Sequence, residues 1–331
     1  MPARIAFAPA FTLLLLLLLG VVPAAAGDFV DATGRIVRIP EHIQRVVPAG
    51  PPAAVLLAVI APDLMVGWPE PMSPEVRALL MPDAADLPEI PRLTGKDDVI
   101  DKIKALKPDL IVDYGSISQR YSDLAKATEQ KTGIPTILLD GSMPQIPHVL
   151  HALGVMLHRE GRADALAQFA QAILTLPLAP GNTPKVVYAR GADGLTVAAP
   201  DTDATEVFTG LGWHVLAPAG QGTFRQATIE QIRTLDPDVL IFADAHMRDV
   251  LAKDPAWHAV RAVQQGHAFV APGLPFGWIE DPPSINRLLG LAWLGGSEAG
   301  TLAAIFNAVF YGHAFTPAQH DAVLAGFAPT Q

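Results

Sequence analysis

Asp101-Lys-Ile-Lys-Ala-Leu106-Lys-Pro108-Asp109-Leu-Ile-Val112 returns later in the chain as Glu230-Gln-Ile-Arg-Thr-Leu235-Asp-Pro237-Asp238-Val-Leu-Ile241. In each copy an Ile and a Leu stand three residues apart before the proline, the spacing of one helix face. Proline has no N–H to continue a helix, so the helix stops there. The apolar run after Pro-Asp has the length and β-branched content of a short buried strand. One helix–break–strand unit in each half predicts two similar α/β lobes, and two such lobes enclose a cleft.

Working outward, Asp31 to Pro40 alternates like a strand, with Thr33-Gly34 turning the chain ahead of it. Arg45-Val46-Val47 reads as a buried strand ending at Pro48-Ala49-Gly50-Pro51-Pro52, and a helix follows over Ala53 to Ile60, where proline suits the first turn. Leu64 to Trp68, Leu110 to Asp113 and Pro135 to Leu139 read as further strands. Pro147 to about Leu176 is helical in pattern with an interruption near Gly161, and is expected to be one long helix joining the lobes. Leu166, Phe169, Ala170 and Ile173 share a face of it. Lys185 to Ala189 opens the second lobe, Arg190-Gly191 takes the place of Ala49-Gly50, and Val207 to Leu216 mirrors the passage ending at Trp68. Val239 to Phe242 and Ala268 to Ala271 are its later strands, with closing helices over Asn286 to Leu294 and Ala303 to Val309. Strands alternating with helices predict central parallel sheets in two Rossmann-like lobes. The expected division is a signal peptide over 1–26, an N-terminal lobe over 27–146, a connecting helical segment over 147–180 and a C-terminal lobe with the closing helices over 181–331.

The 331 residues suffice for two domains. A net charge of −10 with no basic block argues against nucleic acid and anionic membrane surfaces as partners. Arg4, the apolar Phe11–Leu19 segment and Ala24-Ala25-Ala26 have the order of a cleaved signal peptide, with the mature chain starting at Gly27 or Asp28. The apolar run falls short of the roughly 20 residues of a membrane span. The chain has no cysteine, which excludes disulfides, a thiolate metal site, a thiol nucleophile and a lipid-modified N-terminal cysteine. The expected location is the periplasm, without a lipid anchor, as a monomer.

Several segments together resemble the periplasmic solute-binding proteins of ABC importers for iron complexes, in the branch whose lobes are joined by a long helix. They are Arg45 to Gly50, both helix–Pro-Asp–strand units, Tyr121 to Gly141, Arg190 to Leu195, Leu274 to Gly290, and Phe310-Tyr311-Gly312 with Thr316-Pro317. The resemblance covers essentially the whole mature chain. It implies capture of a ferric siderophore, haem or a related chelate such as cobalamin, and delivery to an inner-membrane permease dimer. A molybdate-type oxyanion is the alternative ligand. No enzymatic activity and no cofactor are implied. The resemblance also implies that an acid on each lobe, Asp101 and Glu230, meets arginines of the permease. Charge pairs of this kind steer and orient an encounter. Glu129 and Glu206 are rivals for that role.

The ligand is expected where strand ends of the two lobes face each other. On the first lobe this selects Pro48, Ala49, Gly50, Trp68, Tyr114 and Tyr121, and on the second Arg190, Gly191, Asp244, His246, Phe276 and Trp278. Backbone N–H groups at helix starts after Gly50 and Arg190 would receive anionic oxygens. Arg190 suits either a bidentate oxyanion contact or a structural salt bridge. Trp68 and Trp278 offer apolar faces to a chelate or, alternatively, to the core. Tyr114 could reach a metal or a chelate rim, or close the sheet's mouth. Ser284 is a candidate helix N-cap, and Arg287 is read as tying its loop to the lobe. His148, His151 and His158 share part of a helix face without an acid to complete a metal site, which leaves His246 the better histidine. A secreted hydrolase is the rival class. Gly295-Gly-Ser297-Glu-Ala299 lacks the final glycine of a nucleophile elbow, and neither a zinc-protease helix motif nor a P-loop is present.

Overall fold

A computed structural model describes residues 27–176, 183–296, 299–312 and 314–324. The signal-peptide segment lies outside the described residues, as does most of the break expected between Pro177 and Pro184. A hairpin of β1 (Gly27–Val30) and β2 (Ile36–Ile39) precedes the first lobe. Asp31 closes its turn by accepting the backbone N–H groups of Thr33 and Arg35. The first lobe is built on a parallel sheet of β3 (Val46–Pro48), β4 (Leu110–Gly115) and β5 (Thr136–Asp140), in that order. The second carries β6 (Lys185–Arg190), β7 (Thr196–Ala198), β8 (His214–Val215), β9 (Phe224–Gln226), β10 (Val239–Phe242) and β11 (Ala268–Val270). Its order is β11-β10-β6-β7-β9, with β8 on β6.

The repeated motif does the same work in each lobe. The helices Asp97–Ala105 and Ile229–Leu235 end in left-handed residues at matching positions, Lys107 and Asp236, both at φ 48°. The aspartate after each proline then pins the start of the neighbouring strand. Asp109 accepts the backbone N–H of Gln44 and Arg45 at 2.8 and 2.9 Å, and Asp238 accepts that of Lys185 at 2.9 Å. The strand that follows enters parallel register, Leu110 beside Val46 and Val239 beside Val186.

Four expectations are corrected. The second sheet is mixed, because β7 and β9 run antiparallel. Gly191 and Gly194, both at positive φ, turn the chain straight back after β6 instead of starting a helix. Leu64–Trp68 is not a strand: Met65 bridges Val46 and Trp68 bridges Glu89 as isolated pairs, interrupted by Gly67 and stopped by Pro69. The connecting helix is two helices, Ile146–Met156 and Glu160–Leu174. The chain turns at His158 (φ 54°) rather than near Gly161, and Gly154 lets the second helix fold back, since a Cβ there would collide with that of Ala163. Finally, the closing helices, assigned to the second lobe, reach the first. Helix Ala299–Tyr311 packs on Pro51–Ile60, Gln319 donates to the Ala78 carbonyl at 3.3 Å, and Arg162 of the connecting segment donates to that of Phe310 at 2.8 Å.

This return makes the main core continuous between lobes. Val46, Leu56 and Leu150 belong to the same buried cluster as Tyr188, Phe208 and Phe306. Each lobe keeps a smaller core on its far side, around Ile103 and Ile111 in the first and around Ile232 and Trp257 in the second. Among the described residues no helix is long and apolar enough to cross a membrane.

Candidate functional site

The C-terminal ends of β3, β4 and β6 and the loop after β11 meet around a cleft of about 250 Å³. The first lobe contributes Ala49 to Pro52, Glu70, Arg92, Leu93, Asp113 to Ser116, Tyr121 and Leu124. The second contributes Arg190, Asp203 and Glu280 to Pro283. The loop carrying Glu280 is held at several points. The Trp278 N–H donates to the Pro272 carbonyl at 3.1 Å, and the Asn286 amide donates to that of Phe276 at 3.1 Å.

Of the residues expected at the site, Ala49, Gly50, Tyr114, Tyr121 and Arg190 line this cleft. Pro48 is buried within β3 just behind it. Trp68 and Phe276 face each other instead, ring centroids 5.8 Å apart, and the Trp68 indole donates to the Ala84 carbonyl at 2.7 Å. Trp278 is fully buried, with its indole N–H 3.2 Å from the Leu274 carbonyl. Gly191 sits exposed in the hairpin turn. Asp244 accepts the His246 backbone N–H at 2.9 Å, and neither residue lines the cleft. His151 pairs with Asp164 at 2.7 Å. Among the described residues no three of His, Asp and Glu stand together as a metal site.

Arg190 is engaged within its own lobe. Its guanidinium lies 3.5 Å from the centre of the Phe224 ring and 3.7 Å from the Glu280 carboxylate. The Tyr188 hydroxyl donates to the same carboxylate at 3.3 Å. Burial pushes the Glu280 carboxyl above its usual range, the Arg190 charge opposing and Asp281 reinforcing the shift. Across the cleft, burial raises Asp113, against the Tyr114 N–H and the Arg92 charge. Burial and then the nearby Asp281 raise Glu70, and Arg92 again opposes. Tyr114 is 1% exposed, and burial pushes its phenol up to about 12, which keeps it a neutral ring and not a phenolate.

Of the two expected oxyanion donor sites, the helix start after Gly50 is present with fewer donors, and the one after Arg190 is absent. The helix after Gly50 begins Pro51-Pro52, which removes two of the N–H groups a helix start would offer. After Arg190 there is a hairpin and no helix. Glu70, Arg92, Asp113, Asp203, Glu280 and Asp281 were missed from sequence. Asp113 adjoined the expected Tyr114 at a strand end, and Glu280-Asp281 lay inside the Leu274–Gly290 segment, so position at a strand end could have found the first and that segment the other two. Glu70 and Arg92 sit in loops without periodic signal.

Beneath the cleft, Arg287 donates to the Glu206 carboxylate of the second lobe and to the Gly141 carbonyl at the end of β5 in the first. Glu206 also accepts the Met143 N–H at 2.7 Å. Glu129 is paired with Arg35 at 3.3 Å. Asp101 and Glu230 are exposed, the latter bonded to Arg233 at 2.7 Å.

Two α/β lobes with a ligand-sized cleft at their strand ends define a solute-binding protein. The periplasmic binding protein family model matches residues 52–273, and the chain belongs to that family. Membership places it outside the cytoplasm, as a partner of an ABC permease and a small-molecule ligand. No curated protein matches the chain by sequence. Among solved structures, an ABC transporter solute-binding protein from Sulfurospirillum deleyianum is similar at 24% identity and a TM-score of 0.80, over 90% of this chain and 99% of that one. A periplasmic solute-binding protein from Veillonella parvula is similar at 20% identity and TM-score 0.69, over 91% and 98%. A molybdate-bound periplasmic binding protein of a Haemophilus influenzae ABC transporter is similar at 18% and 0.65, over 88% and 99%. These likenesses are of fold.

Proposed function

We propose that this protein captures a metal complex, an iron chelate first among them, and hands it to an inner-membrane ABC permease without making or breaking a bond. The observation that carries this reading is the cleft itself, lined from both lobes and floored by the neutral Tyr114 ring and the Pro51-Pro52 helix start. Tyr121 and Leu124 add apolar surface on the first lobe, as suits a ligand with an organic periphery. The Arg287 contacts and the shared core restrict the lobes to modest closure around it. An oxyanion has less support, because prolines at the first two helical positions after Gly50 remove two N–H donors and Arg190 already faces Glu280.

The test is a thermal-shift screen of residues 28–331 against ferric siderophores, haem, cobalamin and molybdate. A ligand that binds only the native state raises the melting temperature, by about 2.7 kcal/mol of added stability at a hundredfold excess over Kd. A shift with a chelate supports the reading, and a shift with molybdate alone overturns its ligand class.

A further inference from the structure

The charge lining the cleft is lopsided. Five acidic residues line it and only two arginines. Arg190 is committed to Glu280 and the Phe224 ring, and Arg92 lies in the field of both Asp113 and Glu70. Each arginine thus has local acids to answer, and negative charge is left over, with Asp203 and Asp281 also at the wall. The backbone offsets this only in part, since Pro51 and Pro52 remove two of the N–H groups that would welcome an anion at this helix start. A cleft lined by one sign of charge concentrates the opposite sign within it. The acids are spread over both walls and do not converge into a metal-ligand set among the described residues, so a bare ion finds no coordination sphere there.

We infer that the ligand of this cleft is a metal complex of net positive charge, its metal enclosed by its own ligands, with Glu70 and Asp281 of facing lobes supplying the attraction. This rests on the binding-protein reading and narrows its ligand class. Ferric catecholates, haem with its propionates and tetrahedral oxyanions become poor fits, because each would bring negative charge into a wall already in excess of it.

Two inert octahedral complexes of one metal separate the signs: cationic hexaamminecobalt(III) and anionic hexacyanocobaltate(III), titrated calorimetrically into residues 28–331 at physiological salt. The cation is expected to bind about tenfold or more tightly than the anion, and Glu70→Gln with Asp281→Asn to remove about that factor. Asp98→Asn with Asp249→Asn, which neutralises two exposed acids away from the cleft, is expected to leave cation binding unchanged. That control separates the cleft from the general acidity of the chain. Equal or tighter binding of the anion, no binding of the cation, or equal losses in both double variants overturns the inference. The binding-protein reading fails separately, if deleting the gene leaves uptake of every metal complex tested unchanged.

Discussion

Arg287 and Glu206 form an ion pair at the junction of the lobes, and the same guanidinium also holds the Gly141 carbonyl of the first lobe. Arg287 is 1% exposed and donates to the Ser284 carbonyl as well, at 3.0 Å, so its charge is fully enclosed by acceptors. Removing one partner of a buried pair leaves the other uncompensated, which typically costs about 3–5 kcal/mol. Arg287→Met is therefore expected to cost stability of that order, read as a lower urea midpoint at unchanged slope, while leaving secondary structure intact. An unchanged midpoint would show that the pair is not holding the junction.

Glu280 makes stability depend on pH in a definite direction. Burial raises its carboxyl in the folded chain above the ordinary 4.5, so the folded state keeps the proton more tightly than the unfolded one. Its favourable contribution is fully present below 4.5 and is lost as pH rises through the folded value. Relative to Glu280→Gln, the native protein should gain stability as pH falls from neutral through that window. Denaturation curves of both proteins across the range check this, and a constant difference would assign Glu280 no part in the dependence.

The Trp68–Phe276 contact shows where sequence reasoning reached and where it stopped. The repeated Pro-Asp units located β4 and β10 correctly, because local capping and a short apolar run determine them without help from elsewhere. The cleft's position also followed, since strand ends in such lobes face each other. The two aromatics were expected on the ligand, but large rings in Pro- and Gly-rich loops look alike whether they face a cleft or each other. Only the fold showed that the loop from β11 brings Phe276 onto Trp68. Glu70 and Arg92 of the cleft were overlooked for a related reason, as they come together through loop paths that carry no period. Trp68→Ala is expected to cost about 3–5 kcal/mol in stability through the cavity it leaves, read by denaturant unfolding. A loss of ligand affinity with stability retained would return Trp68 to the site.

Gly290 reverses the usual rule for glycine in a helix. It lies within Arg287–Leu294, where alanine would ordinarily be better by about 1 kcal/mol. Here a methyl group would collide with the Trp278 carbonyl oxygen, which is backbone and cannot step aside easily. Gly290→Ala should destabilise the protein and displace the loop carrying Glu280. Calorimetric unfolding would show it as a lower melting temperature, and a rise would mean the helix shifts freely.

Asp101 and Glu230 occupy the same position in the two repeats, each exposed on the helix that leads into a Pro-Asp break. Their rivals are engaged in less exposed pairs, Glu206 with the buried Arg287 and Glu129 with Arg35, whereas Asp101 and Glu230 stand exposed. Glu230 would have to exchange its bond to Arg233 for one to the permease, an exposed contact that costs little to give up. Reversing both charges, Asp101→Lys with Glu230→Lys, is expected to abolish ligand uptake in cells. Calorimetric affinity for the ligand should stay the same, because neither residue lines the cleft. Each single reversal should give an intermediate loss if the two lobes dock on separate permease subunits. Normal uptake by the double variant, or a fall in ligand affinity that accounts for the lost uptake, would remove these two acids from the docking surface.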